Sequence, residues 1–431
     1  MEDSSLTIVI KLGTSSIVDE KTHEPILSIL TLIVETVARL RKDGHRVVLV
    51  SSGAVGVGLR RMDVNERPDY LPRIQALAAV GQCRLMSLWD NLFSHLRVPV
   101  AQILLTRNDI ADNTQYINAQ NTFEQLFDMG VVPIVNENDT LAVSEIKFGD
   151  NDTLSAITAA AVKADYLFLM TDVDCLYTAN PRRDPDAKPI EVVTDISSLE
   201  ADVSSAGSSL GTGGMTTKIV AAKLGTSAGV MTIITKSSKP GNVHEIVKYL
   251  QEIQKITDPN DPALANIIRP PLHTRFIPSD TPIQSRKFWL LHGLTPHGTI
   301  YIDQGAYEAL LGKASLLPAG VIGVEGHFGQ QEAVRLVVVD RPSPEALNGD
   351  FLHHSQEPKE VGRAIVNYGS IEIAHIKGHR STHIEAVLGY ADSDYVALRD
   401  NISFHPDDRN NHPATPAMIP AIESWGSPPR S

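Results

Sequence analysis

The chain has 431 residues, too long for one ordinary domain and suited to two or three. Hydrophobic residues make up 42% and charged residues 21%, as in chains that fold, and a formal net charge of −13 argues against broad binding to nucleic acid or anionic membranes. Two cysteines are too few for a disulfide framework and fit a reducing compartment; the start MEDSSLTIVIKLG lacks a signal-peptide pattern, and no run reaches the roughly 18 apolar residues that span a bilayer, so a soluble cytoplasmic protein is expected.

Short β-branched runs alternate with helix-period segments from residue 6 onward. LTIVIKLG is followed by a segment in which Ile26, Ile29, Leu30, Ile33, Val37 and Leu40 share one face and Gly44 supplies a stop, and then by RVVLVSSGAVGVG. Further apolar runs, VPVAQILLT, GVVPIVNEN, DYLFLMTDVD and GVMTIITK, are separated by segments long enough for crossover helices. Continuous rather than alternating apolar strands predict an α/β fold, a mainly parallel sheet covered by helices on both faces. The pattern fails near residue 257. A proline-rich irregular segment over 258–295 precedes a small β-rich domain over 296–405, with a polar insertion around 341–360 and a tail over 406–431 expected to be disordered.

Ligands of open parallel sheets collect beyond the carboxyl ends of strands. There the sequence places Lys11 to Ser15, Ser51 to Ala54, Asn136 to Asp139, Thr171-Asp172 and Lys236. Lys11, inside an apolar run, either needs an anion partner or snorkels to water, and both readings stand at this point. Gly13, and Gly53 with Gly56 and Gly58, offer backbone N–H groups to an anion, but not in the dinucleotide-binding order. SLGTGGMTTKI, residues 209–219, reads as a phosphate cradle before a helix and departs from the Walker A spacing. The acids and amides of 136–156 could hold a small zwitterion or bind Mg²⁺ through water, although each residue of Asp150-Asn151-Asp152 alone reads as a helix cap. His375, His379 and His383 could share a helix face, a zinc reading that Gly378 disfavours. Cys83 and Cys175 are read as buried structural thiols.

Together VIKLGTSS, VSSGAVGVG, LAAVGQCRLMSLW, LLTRND, INAQNTF, VVPIVNENDT, EIKFGDNDTLSA, LMTDVDCLYTANP and GTGGMTTK resemble, in order, the amino acid kinase family, and within it the glutamate 5-kinases. GTIYIDQGAYEALL, SLLPAGVIGVEGHF and GHRSTHIEAVLGY resemble the PUA domain that many of these kinases carry; the longer linker is more like that of fungal members. The resemblance implies a three-layer α/β/α sandwich over 1–257 and a PUA-like barrel. It implies transfer of the γ-phosphoryl group of ATP to the γ-carboxylate of L-glutamate, giving glutamyl 5-phosphate and ADP, the first step of proline synthesis. By the same resemblance, Lys11 and Lys218 flank the transferred group and Asp152 orients them. Ser52, Gly53, Ala54, Asp139 and Asn151 hold glutamate, while Lys11, Gly13, Thr14, Thr171, Asp172, Thr212, Gly213, Gly214, Met215, Thr216, Thr217 and Lys218 hold ATP. Mg²⁺ accompanies the nucleotide, with no protein metal cage. Proline is implied as a feedback inhibitor at or overlapping the glutamate site, with the 139–152 loop as its sensor. A homo-oligomer, dimer or tetramer, is implied, with coupling to glutamyl-phosphate reductase. Kinases of N-acetylglutamate, aspartate, carbamate or UMP share the scaffold and remain alternatives. RNA is a weaker one, since residues 296–405 carry eight Lys/Arg against fourteen Asp/Glu, a balance of −6.

Overall fold

A computed structural model describes residues 5–106, 109, 113–141, 151–179, 184, 186–196, 199, 214–256, 267–278, 287, 290–291, 296–339 and 359–405. The apolar runs become strands β1 (Thr7–Leu12), β2 (Arg46–Ser51), β3 (Val100–Leu105), β4 (Val132–Glu137) and β5 (Tyr166–Thr171). Short strands β6 (Leu176–Tyr177), β7 (Pro189–Ile190) and β8 (Val192–Val193) follow, then β9 (Met231–Lys236) and β10 (Thr274–Phe276). The main sheet has the order β3-β4-β2-β1-β5-β9-β10-β8. Neighbours from β3 to β9 are parallel, and β10 runs antiparallel to β9. The segment expected to be irregular over 258–295 thus contributes a strand, and its Leu290 and Leu291 are fully buried.

Alternation along β1 sorts its side chains between two apolar layers. Ile8, Ile10 and Leu12 join Leu30, Ile33 and Val37 of helix Leu27–Lys42, with Trp89 and Phe93 of helix Leu71–Ser94 and Val243 and Ile246 of helix Asn242–Gln254. Val9 faces the other layer, with Phe123 of helix Asn113–Asp128, Leu154 and Ile157 of helix Asn151–Ala161, and Ala221 and Ala222 of helix Met215–Ser227. The outcome is the three-layer sandwich, with Lys11 on the same side as Val9. Among the described residues no helix is long and apolar enough to cross a membrane.

The C-terminal strands β11 (Gly298–Ile302), β12 (Val321–Gly326), β13 (Ala333–Val338), β14 (Lys359–Ile365) and β15 (Ile402–Phe404) form a second sheet, order β12-β11-β13-β14-β15. It packs its own core, including Ile300, Leu336, Val361, Ile373 and Phe404. Apart from residues 359 and 360, the polar insertion lies outside the described residues, as does the tail.

Two local readings change, those of Cys83 and of Gly56 with Gly58. Cys83 is exposed, because helix Leu71–Ser94 buries Leu77, Ala78, Gly81, Leu85 and Trp89 and leaves Cys83 off that face; Cys175 is buried as expected. Gly56 and Gly58 lie within helix Ala54–Arg61 and serve packing: a Cβ at Gly58 would stand 2.0 Å from the Leu77 carbonyl oxygen, and one at Gly56 3.2 Å from Val18. The three histidines share no helix face, since helix Ser370–Ile376 ends before Gly378, which has φ +75°, and His383 closes a separate 3₁₀ turn.

Candidate active site

On the Val9 side of the sheet, the end of β1 and the starts of two helices bring two lysines and one carboxylate together. Lys11, next to last in β1, is 4% exposed; Asp152, second in helix Asn151–Ala161, is 0% exposed; Lys218, in the first turn of helix Met215–Ser227, is 7% exposed. Lys11 Nζ lies 2.5 Å from Asp152 Oδ1, and Lys218 Nζ lies 3.4 Å from Oδ2. Lys11 therefore has the anion partner that its burial requires. Thr217 adds a hydroxyl 2.8 Å from Oδ2, and its Oγ1 accepts from the Gly214 N–H at 3.0 Å, tying the carboxylate to the start of the second helix. Burial alone would raise the Asp152 pKa, but the ammonium groups of Lys11 and Lys218, with hydrogen bonds from Lys11 and Thr217, outweigh it and hold the carboxyl below its ordinary value. The group is a carboxylate at neutral pH. It aligns two cations without a compensating second acid among these contacts.

Beside it lies a neutral polar cluster. Asn151 donates through Nδ2 to Ser52 Oγ at 2.7 Å and to Asn136 Oδ1 at 2.9 Å, and Asn136 Nδ2 donates to Gln82 Oε1 at 2.8 Å. Gly53 connects β2 to helix Ala54–Arg61 with φ +106°, a left-handed conformation suited to glycine. The turn leaves Ser52 at the strand end and starts the next helix at Ala54, whose carbonyl oxygen would stand 1.7 Å from a Cβ at Gly81. That close approach holds helix Leu71–Ser94, and with it Gln82, against the site. Gln82 was not singled out from sequence, and Asn136 was named only as the start of a polar block at a strand end. Asn136 left a faint signal as the amide ending an apolar run, whereas Gln82 is one polar residue in a long helix.

The other sequence-derived candidates distribute around this edge. Gly13 and Thr14 open a short helical turn directly after β1, and a Cβ at Gly13 would lie 3.7 Å from Lys11 Nζ. Thr171 ends β5; its hydroxyl donates to Asp172 Oδ1 at 3.2 Å and its carbonyl accepts from Ser237 N at 2.6 Å. Met215, Thr216 and Thr217 form the first turn after Gly214. Asp139 is half-buried two residues beyond β4. Thr212, Gly213 and residues 142–150 lie outside the described residues.

Residues 6–236 match the amino acid kinase family and residues 298–388 match the PUA domain. The chain belongs to the amino acid kinase family. Family relatives extend across both parts. A probable glutamate 5-kinase of Schizosaccharomyces pombe is 54% identical, covering 94% of each chain. An uncharacterized protein of Saccharomyces cerevisiae is 50% identical, over 93% of this chain and 98% of that one. A glutamate 5-kinase of a Cyanothece species is 47% identical, over 92% of this chain and 98% of that one.

Proposed function

We propose that the chain is an ATP-dependent glutamate 5-kinase, transferring the γ-phosphoryl group of ATP to the γ-carboxylate of L-glutamate to give L-glutamyl 5-phosphate and ADP. The observation that carries this reading is the Lys11–Asp152–Lys218 cluster, in a chain 54% identical to a probable glutamate 5-kinase over nearly its whole length. The acceptor carboxylate, with a reference pKa of about 4.3, is already ionised at neutral pH and needs no general base. The work of the site is position and charge: two anions must meet in line while negative charge on the transferring group is neutralised. Lys11 and Lys218 supply the cations, and Asp152 holds both in place. Ser52, Gly53, Ala54, Asp139 and Asn151 bind glutamate; Gly13, Thr14, Thr171, Asp172 and residues 212–218 bind ATP.

Both Asp152 oxygens already face lysine or threonine, and no described group of three or more His, Cys, Asp or Glu side chains is arranged for a metal. A Mg²⁺ ion entering with ATP suits coordination by phosphate oxygens and water, with little from side chains. Its bound contribution would be neutralisation of phosphate charge. The further reading includes feedback inhibition by proline over the glutamate site, a dimer or tetramer, hand-over of the labile acyl phosphate to glutamyl-phosphate reductase, a cytoplasmic setting, and division into a catalytic domain over 1–257, a connecting segment and a PUA-like domain over 296–405.

The test is ADP release with Mg²⁺-ATP and L-glutamate, N-acetylglutamate, aspartate, carbamate or UMP, with hydroxylamine present to trap acyl phosphate. Glutamate-dependent ADP matched by hydroxamate, and suppressed by proline, is expected. Preference for another acceptor would discard the substrate assignment.

A further inference from the structure

We infer that Gln82 is a positioning residue for the amino end of the substrate, acting through a polarised chain of three side-chain amides. The inference rests on the glutamate reading above and deepens it. The polarity begins at the backbone. The Glu137 N–H, which can only donate, lies 2.9 Å from Asn136 Oδ1, so that end of the Asn136 amide is the oxygen. Asn136 Nδ2 must then point to Gln82, which meets it with Oε1 at 2.8 Å. Asn136 is 3% exposed, so water is a poor substitute for that partner.

The same oxygen of Asn136 accepts from Asn151 at 2.9 Å, which requires the Asn151 NH₂ on that side. Ser52 Oγ accepts from this NH₂ at 2.7 Å, leaving the hydroxyl proton of Ser52 free to donate elsewhere. Asn151 Oδ1 is consequently turned away from both neighbours, buried and without a hydrogen-bond partner among the described residues. A buried acceptor lacking a donor is costly, and a cationic donor satisfies it best. The chain of amides thus leaves one acceptor, Asn151 Oδ1, and one donor, the Ser52 hydroxyl. An α-amino acid offers the matching pair, an ammonium and a carboxylate; acylation of the nitrogen removes the ammonium.

Gln82 stands at the far end of the chain and contributes an acceptor only. Without that acceptor, Asn136 can satisfy its NH₂ only by turning over together with Asn151, whose Oδ1 then accepts from it and no longer faces the substrate, while the Glu137 N–H loses its acceptor. The defect therefore passes to Asn151 although Gln82 itself does not touch the substrate.

The experiment compares Gln82→Glu, which keeps an acceptor, with Gln82→Met, which keeps length and removes it. Gln82→Met is expected to raise the KM for L-glutamate about tenfold, with the KM for ATP and kcat within about twofold, the loss of roughly one hydrogen bond expressed in binding. Gln82→Glu is expected to restore the glutamate KM to within about twofold. Equal damage in both variants, or none in either, would overturn the inference. Neutron diffraction on the unsubstituted protein is the readout independent of turnover and of variant folding: deuterons on Asn151 facing Ser52 and Asn136 are expected, and the reverse orientation would overturn it. An unsubstituted protein inactive on glutamate but with this deuteron pattern would keep the amide polarity and discard the substrate reading.

Discussion

Replacing Lys218 by alanine removes one of the two ammonium groups aligned by Asp152, while Lys11 stays 2.5 Å from that carboxylate and keeps it paired. The fold should persist and kcat should fall by about 10²-fold or more, since a cation facing developing phosphate charge acts mainly in the transition state. Near-normal turnover, measured as ADP release, would remove Lys218 from the phosphoryl path. Asp139→Ala makes a different prediction: the KM for glutamate should rise more than that for ATP, and a defect confined to ATP would show the two subsites reversed. At this scale the sequence was informative where chemistry conflicted with pattern. A lysine in TIVIKLG posed a choice between an anion partner and a path to water, which the structure resolves with Asp152, and Gly53, read as an anion donor, also makes the turn into its helix with φ +106°. It was uninformative where polarity fitted the pattern, as for Gln82 on its helix, and it misjudged Cys83, because a small thiol on a helix carries no sign of which way it faces.

The packing of helix Ala54–Arg61 against helix Leu71–Ser94 depends on backbone contact, with a Cβ at Gly81 placed 1.7 Å from the Ala54 carbonyl oxygen. Backbone cannot yield as a flexible side chain would, so Gly81→Ala should destabilise the protein by about 1–3 kcal/mol, and more if the helices separate. Gly241→Ala is the comparison, since no atom lies within 4 Å of its Cβ position and the residue has φ −55°. Its melting temperature should be nearly unchanged. An equal fall in both variants would point to a general glycine effect and away from the helix crossing. The same crossing positions Gln82, so residual folded Gly81→Ala protein should also bind glutamate more weakly. Helices and long strands were legible from period and apolar runs; the short strand β10 was not, because three residues in a proline-rich segment carry no period and gain strand form only by pairing with β9 and β8.

Across the molecule, the Asp152 cluster couples the start of the catalytic fold to its later helices and gives stability a pH dependence. The native carboxyl lies below its ordinary value of 3.8, so its ionised form stabilises the folded state above that value. That stabilisation is lost as pH falls from the unfolded value through the native one. Asp152→Asn leaves two buried ammonium groups without their carboxylate and should melt lower than the unsubstituted protein at neutral pH. The gap should narrow as the pH drops below about 4, where the unsubstituted carboxyl begins to lose its charge. A gap independent of pH, followed by calorimetry from neutral to acid, would show that the pair contributes shape and not charge.

The sequence by itself determined the alternation of strands and helices, the parallel character of the sheet and the family, because each is written in local periodicity and in the order of motifs. It also located the polar ends of the strands, since an apolar run that stops at Lys-Leu-Gly or Asn-Glu-Asn marks the edge where ligands gather. Only the tertiary structure decided that Asp152 is the partner of both Lys11 and Lys218, that Thr217 bridges to it, and that the amides of Gln82, Asn136 and Asn151 share one polarity. Distances between side chains on different elements depend on strand order, crossovers and helix contacts, which no local period records.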